Sequence, residues 1–237
     1  MRIGTWNLER HGDSDRIRLQ RTLIDSKCAD VFVLTEVHRA FDCGGWTVER
    51  SIKSTHSDHA GDSWVAVVSQ GLDLSESTLS PRNSSVAGQY VVGGELLIVY
   101  GSVLPWLRAP DQAPDLALPN EPYVDMFARI VREQVEDLRT MKQAHSKAII
   151  VWAGDFNQTL SGSNSGGSNI SRKLLKDTLA DLGLVAWNEH LAHAIPGLKT
   201  IDLICGPTSR PVKVIERFDS VFDGHKLSDH AGYLIEI

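Results

Sequence analysis

The hydrophobic residues of this chain fall into short runs that repeatedly end in carboxylate, amide or imidazole side chains. The run Arg2–Trp6 leads into Asn7 and Glu9, and the run Asp30–Thr35 leads into Glu36. Short apolar runs bounded by polar turns are typical of buried strands. We therefore expect several strands to deliver polar side chains to one edge of a sheet.

The same pattern returns in the second half of the chain. The apolar run Ala148–Ala153 ends in Gly154-Asp155-Phe156-Asn157, and Leu227-Ser228-Asp229-His230 precedes a last apolar run, Ala231–Ile237. Carboxylates, amides and an imidazole gathered at strand ends are the groups that metal-assisted phosphoester hydrolysis uses. The pattern therefore predicts a polar site of that chemistry.

Apolar residues at helical spacing predict three helices. The first is Asp15–Ser26, capped by Asp13 or Ser14, and the longest is Tyr123–Ala144. The third is Ile170–Leu182, which Gly183 should end. Further strands are predicted at Trp46–Arg50, Ser63–Ser69, Leu72–Thr78, Tyr90–Leu104, Leu184–Trp187, Thr200–Cys205 and Val212–Phe218. The proline-rich segment Ala109–Pro122 and the Ser/Gly/Asn segment Ser161–Asn169 should be loops, the second a flexible one.

Composition indicates an ordinary globular protein rather than a membrane or disulfide-rich one. The 237 residues are 42% hydrophobic and 23% charged, without a repeat or an obvious boundary, so we expect one domain over residues 1–237. No apolar run approaches the roughly 20 residues of a membrane span, and no leader precedes the first strand. We expect a cytoplasmic monomer.

Cys28, Cys43 and Cys205 show no CxxC pairing, which argues against a disulfide framework or structural zinc.

The net charge limits the kind of substrate. A charge of −6 has the wrong sign for gripping long nucleic acid by neutralising its backbone alone. Small phosphoesters, short single strands and a locally basic groove all remain open.

Five motifs, in order along nearly the whole chain, resemble the endonuclease/exonuclease/phosphatase superfamily. They are Thr5-Trp6-Asn7, Thr35-Glu36, Gly154-Asp155-Phe156-Asn157, Ile201-Asp202-Leu203-Ile204 and Ser228-Asp229-His230. Members of this superfamily include pancreatic deoxyribonuclease, apurinic/apyrimidinic endonucleases and inositol polyphosphate 5-phosphatases. The resemblance implies a four-layered α/β sandwich, with two mixed β-sheets packed face to face, helices outside and a site at one end.

The resemblance also implies a metal site. Glu36 matches the principal metal-binding glutamate, Asn7 the asparagine beside it, and Asp229 a carboxylate near the metal. Glu9 stands where nuclease members often have an aspartate that assists the metal; a surface ion pair with Arg10 is its structural alternative. Such oxygen ligands suit Mg²⁺ or Mn²⁺.

The catalytic roles follow in the same way. His230 matches the catalytic imidazole and Asp202 its orienting carboxylate. Asp155 matches the aspartate that orients the attacking water or serves the leaving group, and Asn157 the amide that holds a phosphate oxygen. Whether His230 accepts a proton from water or stays protonated to neutralise the phosphate is left open by the sequence.

The chain departs from the pattern where many nucleases use a Tyr or His to touch the phosphate. Aligning Pro105 with the family's loop puts Val103 at that position, with Tyr100 three residues earlier. Trp106 or Arg108 could hold the phosphate instead.

Two sets of histidines could mislead. Ser57–Gly61 repeats the letters of Ser228–Gly232, but only the later copy leads into a terminal strand, so His59 is at most a substrate contact. The pairs His56/His59 and His190/His193 have no third ligand nearby in sequence, and we expect neither to bind zinc.

The leading hypothesis is a divalent-metal-dependent phosphodiesterase, and within that class a nuclease. A phosphatase that acts on a small phosphorylated alcohol, sugar or lipid headgroup is the rival, since the chain is short and acidic. A non-catalytic binding module that retains the fold is the third alternative. The presence of Glu36, Asp155 and His230 argues against it.

Overall fold

The computed structural model describes residues 1–72, 74–75, 79–162 and 166–237. Its elements, in chain order, are β1 (Arg2–Asn7), α1 (Ser14–Ser26), β2 (Val31–Val37), β3 (Thr47–Arg50), β4 (Ser63–Ser69), β5 (Leu74–Ser75), β6 (Ser85–Val92), β7 (Glu95–Val103), α2 (Ala109–Gln112), α3 (Tyr123–Ala144), β8 (Ile149–Asp155), α4 (Asn169–Leu182), β9 (Leu184–Ala186), β10 (Asp202–Pro207), β11 (Val214–Phe218), β12 (Val221–Phe222), β13 (His225–Lys226) and β14 (Gly232–Glu236).

Two six-stranded sheets form the centre of the fold. The first sheet has the order β11-β14-β1-β2-β4-β3, the second has β5-β6-β7-β8-β10-β9, and β12 and β13 make a separate ribbon. Each large sheet has one parallel pair in its middle, β1–β2 or β7–β8, and antiparallel neighbours elsewhere. Both sheets are therefore mixed, as predicted.

The two sheets pack against each other with very little space at their centre. Val33 and Val65 of the first sheet belong to the same buried cluster as Leu97 and Val99 of the second. A Cβ atom added at Gly101 would lie 2.7 Å from Val65. Glycine at this position therefore permits a close approach that any larger residue would obstruct.

Helices cover the two outer faces. α1 begins at the cap Asp13, whose carboxylate accepts from the Arg16 backbone N–H at 2.8 Å, and it packs on the first sheet. α3 lies on the second sheet, where the Tyr100 hydroxyl donates to Asp137 at 2.7 Å. α4 packs beside α3 and ends at Gly183, in the left-handed conformation with φ of 67°. The predicted four-layered α/β sandwich is confirmed.

Most of the predicted elements are found, some with identical bounds. The strand Ser63–Ser69 and the helix Tyr123–Ala144 coincide with β4 and α3. Of the predicted strand Leu72–Thr78, the structure describes β5 alone, because residues 73 and 76–78 lie outside the described residues. Residues 163–165 of the predicted loop Ser161–Asn169 also lie outside them, and α4 already begins at Asn169.

Two predicted elements are wrong in detail. The segment Tyr90–Leu104 is not one strand: β6 and β7 form a hairpin that turns at Gly93 and Gly94, where φ is 60° and 83°. Two successive residues with positive φ make the tight turn that suits a two-residue hairpin.

The proline-rich segment Ala109–Pro122 contains a short helix, α2, because Pro110 is tolerated in a first helical turn. The ribbon β12–β13 and a 3₁₀ turn at Ser57–His59 were not predicted.

No helix in the described part of the chain has the length and apolar character to cross a membrane.

Candidate active site

Asn7 links the two sheets at one end of the sandwich. It ends β1, next to β2, and its buried Nδ2 donates to Glu36 Oε1 at 3.2 Å and to Asp155 Oδ2 at 2.9 Å. Its Oδ1 accepts from the Glu9 backbone N–H at 2.8 Å. In this orientation Asn7 holds two carboxylates in place through its amide nitrogen.

Asp155 and Asp202 are brought together by strand pairing. The antiparallel register of β8 and β10 sets Asp155 opposite Asp202. Gly154 makes the approach of β8 to β7 possible, since its φ is 136° and an added Cβ would lie 1.9 Å from the Ser102 carbonyl oxygen. Any side chain at position 154 would clash with β7, which explains why a glycine precedes Asp155.

Asn157 lies just beyond the end of β8, on the same side as Asp155. Its backbone N–H donates to Asp155 Oδ1 at 2.9 Å, and its Nδ2 donates to the Leu104 carbonyl at 2.9 Å. The amide is thus fixed at both its backbone and its side chain, which pre-orients it for a ligand at this edge.

His230 meets Asp202 across the two sheets. His230 Nδ1 lies 2.8 Å from Asp202 Oδ2, and the Asp202 side chain is fully buried. The loop that carries the histidine is tied down by Ser228, whose Oγ donates to the Asn7 carbonyl at 2.7 Å and accepts from the His230 backbone N–H at 3.0 Å. The carboxylate can therefore fix both the orientation and the tautomer of the imidazole.

The crowding of charge changes the ionisation of the site. Burial raises the pKa of Asp155 to about 7, with repulsion from Asp202 and Glu36 adding to it; the His230 charge and the Asn157 N–H act in the opposite direction. Burial by itself favours neutral His230, but Asp202, Asp155 and Asp229 together raise its pKa well above the ordinary value. A cationic imidazole thus lies among carboxylates.

Glu9 and Asp229 form the outer part of the site. Glu9 Oε2 accepts from Arg16 Nη2 at 2.5 Å and from the Asp229 backbone N–H at 3.1 Å. The half-exposed Asp229 carboxylate lies 3.8 Å from His230 Nε2. A surface pair between Glu9 and Arg10, the structural alternative, is not formed. Arg10 instead lies over the Trp64 ring, 3.2 Å from its centroid.

The residues at this edge fit a hard divalent cation. Glu36, Asp155 and Asp202 are carboxylates close enough to raise the pKa of Asp155, and a cation near them would relieve that repulsion. Oxygen donors are the ligands that Mg²⁺ and Mn²⁺ prefer. Glu36, which accepts from Asn7, could hold such an ion, and Asp229 and Glu9 are further carboxylates of the site.

A groove of about 510 Å³ extends from Glu36 along the surface. Its lining combines two indoles, one guanidinium and two imidazoles with four carboxylates. These residues are Trp64, Trp106, Arg10, His56, His59, Glu9, Glu36, Asp58 and Asp111. The structure thus puts Trp106 and His59 next to the site. Arg108 is exposed and is not part of this lining.

Val103, at the aligned phosphate-contact position, and Tyr100, three residues earlier, are both buried away from the groove. Val103 is fully buried, and Tyr100 is engaged with Ser85 and Asp137 in the core. Neither side chain reaches the groove lining.

Unfavourable backbone conformations are concentrated at the site. Seven described non-glycine residues have positive φ, and four of them are Glu9, Arg10, Glu36 and Asn157. Such conformations cost on the order of 1–3 kcal/mol each and persist where the surroundings enforce them. The orientation of these side chains therefore lowers the stability of the fold.

His193 is a site neighbour that the sequence did not reveal. Its buried ring meets the His230 ring edge to face, with centroids 4.9 Å apart. Donor atoms of His193, Asp202 and His230 lie within 4.8 Å of one another. The HxxH spacing drew attention to His193, but its partners come from β10 and from the loop before β14, far away in sequence.

Comparisons with known proteins reveal similarity in structure alone. No protein-family model and no curated protein matches the chain. The human Nocturnin catalytic domain, solved with a bound sulfate anion, superposes with a TM-score of 0.69 at 14% identity, covering 99% of this chain and 92% of that one. A 3′-5′ exonuclease from Neisseria meningitidis gives 0.65 at 19%, with coverage of 100% and 99%. An endonuclease/exonuclease/phosphatase family protein from Leptotrichia buccalis gives 0.64 at 15%, with coverage of 100% and 99%. At these identities the likeness establishes the fold.

Proposed function

We propose that this chain is an endonuclease/exonuclease/phosphatase superfamily member that hydrolyses phosphodiester bonds with Mg²⁺ or Mn²⁺. One observation carries the proposal: the Asp202–His230 pair, with its 2.8 Å contact, lies in one site with Asp155, Asn157 and Glu36. These groups come from both sheets, so no single local motif accounts for their meeting. The fold shared with the superfamily supports the same conclusion.

Glu36 and Asp229 are the carboxylates that would hold the cation. A bound Mg²⁺ supplies positive charge to the phosphate oxygens and to the leaving oxygen. Asn7 keeps the Glu36 carboxylate in place through its 3.2 Å bond, and Glu9 supports the Asp229 backbone from the outside.

His230 acts on the phosphate as a cation. Asp202 accepts a hydrogen bond from His230 Nδ1–H, which leaves Nε2 directed to the open side of the site, near Asp229. The raised pKa keeps the ring protonated at neutral pH, so it neutralises a phosphate oxygen rather than accepting a proton from water.

Asp155 and Asn157 complete the reaction. A carboxyl group with a pKa of about 7 can release and take up a proton near neutral pH, which suits a group that orients the attacking water or serves the leaving oxygen. Asn157, fixed by Leu104, offers its second amide proton to a phosphate oxygen.

The groove favours a nucleic-acid strand over a small phosphoester. Trp106 is part-exposed beside Trp64, with ring centroids 5.6 Å apart, so the groove offers an aromatic surface. Arg10 lies there among four carboxylates and does not make the groove basic. Aromatic faces stack on bases without regard to sequence. Since the net charge of −6 opposes a long duplex, we expect single-stranded or frayed ends to be preferred.

Hydrolysis of bis(p-nitrophenyl) phosphate and p-nitrophenyl phosphate, each with and without Mg²⁺ or Mn²⁺, tests the reaction class. The diester should be hydrolysed faster, only with metal, and not by His230→Gln. Faster hydrolysis of the monoester would make the chain a phosphatase. No hydrolysis of either compound, nor of single-stranded DNA, duplex DNA, RNA or phosphoinositides, would indicate a non-catalytic module.

Trp106→Ala tests the strand preference. Loss of one stacked base costs roughly 1–3 kcal/mol, so KM for a single-stranded oligonucleotide should rise about tenfold or more while bis(p-nitrophenyl) phosphate turnover stays unchanged. Trp46→Ala is the matched control, because Trp46 packs against Arg21, away from the groove. An equal effect of both substitutions would contradict the groove assignment.

A further inference from the structure

Asp202 has a second carboxylate oxygen that its bond to His230 leaves unused. Oδ2 takes the His230 contact, whereas Oδ1 is buried and has no hydrogen-bond partner in the described part of the chain. The backbone of Asp202 is fully engaged with Thr200 and Asn188. An unsatisfied buried acceptor is costly, so a donor for Oδ1 is expected nearby.

His193 carries a nitrogen with the complementary deficit. Its Nε2 is buried and unpartnered among the described residues, and the side chain lies against His230 and Asp202. A donor atom of each of the three residues falls within 4.8 Å of the other two. A small side-chain rotation or one bridging water closes that separation.

The tautomer of His193 is set by its other nitrogen. His193 Nδ1 accepts from the Ile195 backbone N–H at 3.0 Å, so Nδ1 carries no proton. In a neutral imidazole the proton must then be on Nε2. Burial lowers the pKa of His193, against the attraction of Asp202, and keeps the ring neutral. Among the described residues, His193 Nε2–H is therefore a donor without an acceptor, in the same cluster as an acceptor without a donor.

The same three residues could instead be a zinc site, since histidine and aspartate are zinc ligands. Coordination through His193 Nε2 would move the ring proton to Nδ1, where it would face the Ile195 N–H donor. This conflict of two N–H donors argues against a metal here.

We propose that His193 is a positioning residue that donates from Nε2 to Asp202 Oδ1 and so holds the carboxylate in the plane in which Oδ2 meets His230. Its effect on turnover rests on the proposed function, but its effect on the Asp202–His230 contact does not. His193 acts through Asp202 and has no contact with substrate.

Three variants separate positioning from bulk packing. His193→Phe keeps a ring but removes the donor, and kcat should fall about tenfold, equal to about 1.4 kcal/mol, while KM changes less than about twofold. His193→Gln retains a donor at a similar reach and should stay within about threefold of wild-type kcat. His190→Phe, on the exposed side of the same segment, is the control and should change neither constant. If the Phe variant does not fold, His193→Leu replaces it.

Nuclear magnetic resonance provides a readout that needs no substrate. The His230 Nδ1 proton, held by Asp202, should give a low-field signal in wild type and His193→Gln, and a shifted or broadened one in His193→Phe. An unchanged signal and an unchanged kcat in His193→Phe would overturn the proposal. So would a fall in kcat that is as large in His193→Gln as in His193→Phe, or an effect of His193→Phe on KM instead of kcat. Zinc that abolishes the signal in wild type but not in His193→Phe would make the cluster a metal site instead. If phosphodiester hydrolysis fails while the signal responds as expected, only the proposed function is lost.

Discussion

Replacing Asp155 by asparagine should stabilise the metal-free protein at alkaline pH, although it removes a carboxylate to which we assign a part in the reaction. Burial and the neighbouring carboxylates raise the pKa of Asp155 to about 7, compared with 3.8 for an aspartate in the unfolded chain. Because the folded-state pKa is the higher one, the group's contribution to stability is complete below the unfolded pKa and is lost as the pH rises through about 7. Ionised Asp155 therefore weakens the fold at pH 8.

The size of the effect follows from the same two values. At about 1.36 kcal/mol per pKa unit, the cost of burying this group is about 4 kcal/mol at pH 8 and about 2 kcal/mol at pH 5. Asparagine lacks this penalty, but it gives up the acceptor for the Asn7 amide, which lies at 2.9 Å in the wild type. That hydrogen-bond loss is independent of pH. The gain from Asp155→Asn at pH 8 should thus exceed the gain at pH 5 by about 2–3 kcal/mol, or about 5–10 °C in Tm.

Urea and thermal unfolding in buffers containing EDTA, at pH 5 and pH 8, measure this difference directly. Asp111→Asn, at an exposed position on α2, is the matched control and should give the same small change at both pH values. A gain for Asp155→Asn that is equal at the two pH values, or larger at pH 5, would refute the electrostatic account of the site.

Four further substitutions test the assigned roles. Glu36→Gln should abolish metal-dependent activity together with Mg²⁺ binding, and calorimetry that finds unchanged affinity in the folded variant would remove Glu36 from the metal site. Asp202→Asn should lower kcat far more than it raises KM, since Asp202 orients His230; the reverse split would make it a substrate or metal contact. His230→Ala should lose roughly 10²–10⁴-fold in kcat, with circular dichroism unchanged. His59→Ala should act mainly on KM. Loss of turnover in that variant alone would make His59, and not His230, the catalytic histidine.

The sequence predicted elements best where the apolar period is long. The helix Tyr123–Ala144 was predicted with its observed bounds. It is about six turns long, and its apolar residues recur every three or four positions. The prediction of one strand over Tyr90–Leu104 was wrong. A strand that is apolar on both faces shows no alternation of apolar and polar residues, so the turn at Gly93 and Gly94 leaves no break in the pattern. Short elements such as α2 depend on tertiary contacts that local composition does not contain.

The sequence pointed to the residues of the candidate site but not to their geometry. Strand-end position selected Asp155 and the family resemblance selected Asp202, yet their pairing depends on the register of β8 and β10. His193 could not be found in this way, because its neighbours are separated from it in sequence and only the folded chain brings their donor atoms together. Likewise, the orientation of the Asn7 amide follows from hydrogen bonds that the sequence does not specify.

The bonds that join the two sheets also make the site a late product of folding. Asn7 reaches Asp155 across 148 positions of sequence, and His230 reaches Asp202 from the opposite sheet. Contacts of such long range require prior loop closure and form slowly. Either sheet formed alone would hold half of the groups and could not turn over substrate. Recovery of activity during refolding should therefore coincide with sheet docking, which makes catalysis a kinetic reporter of the final assembly step.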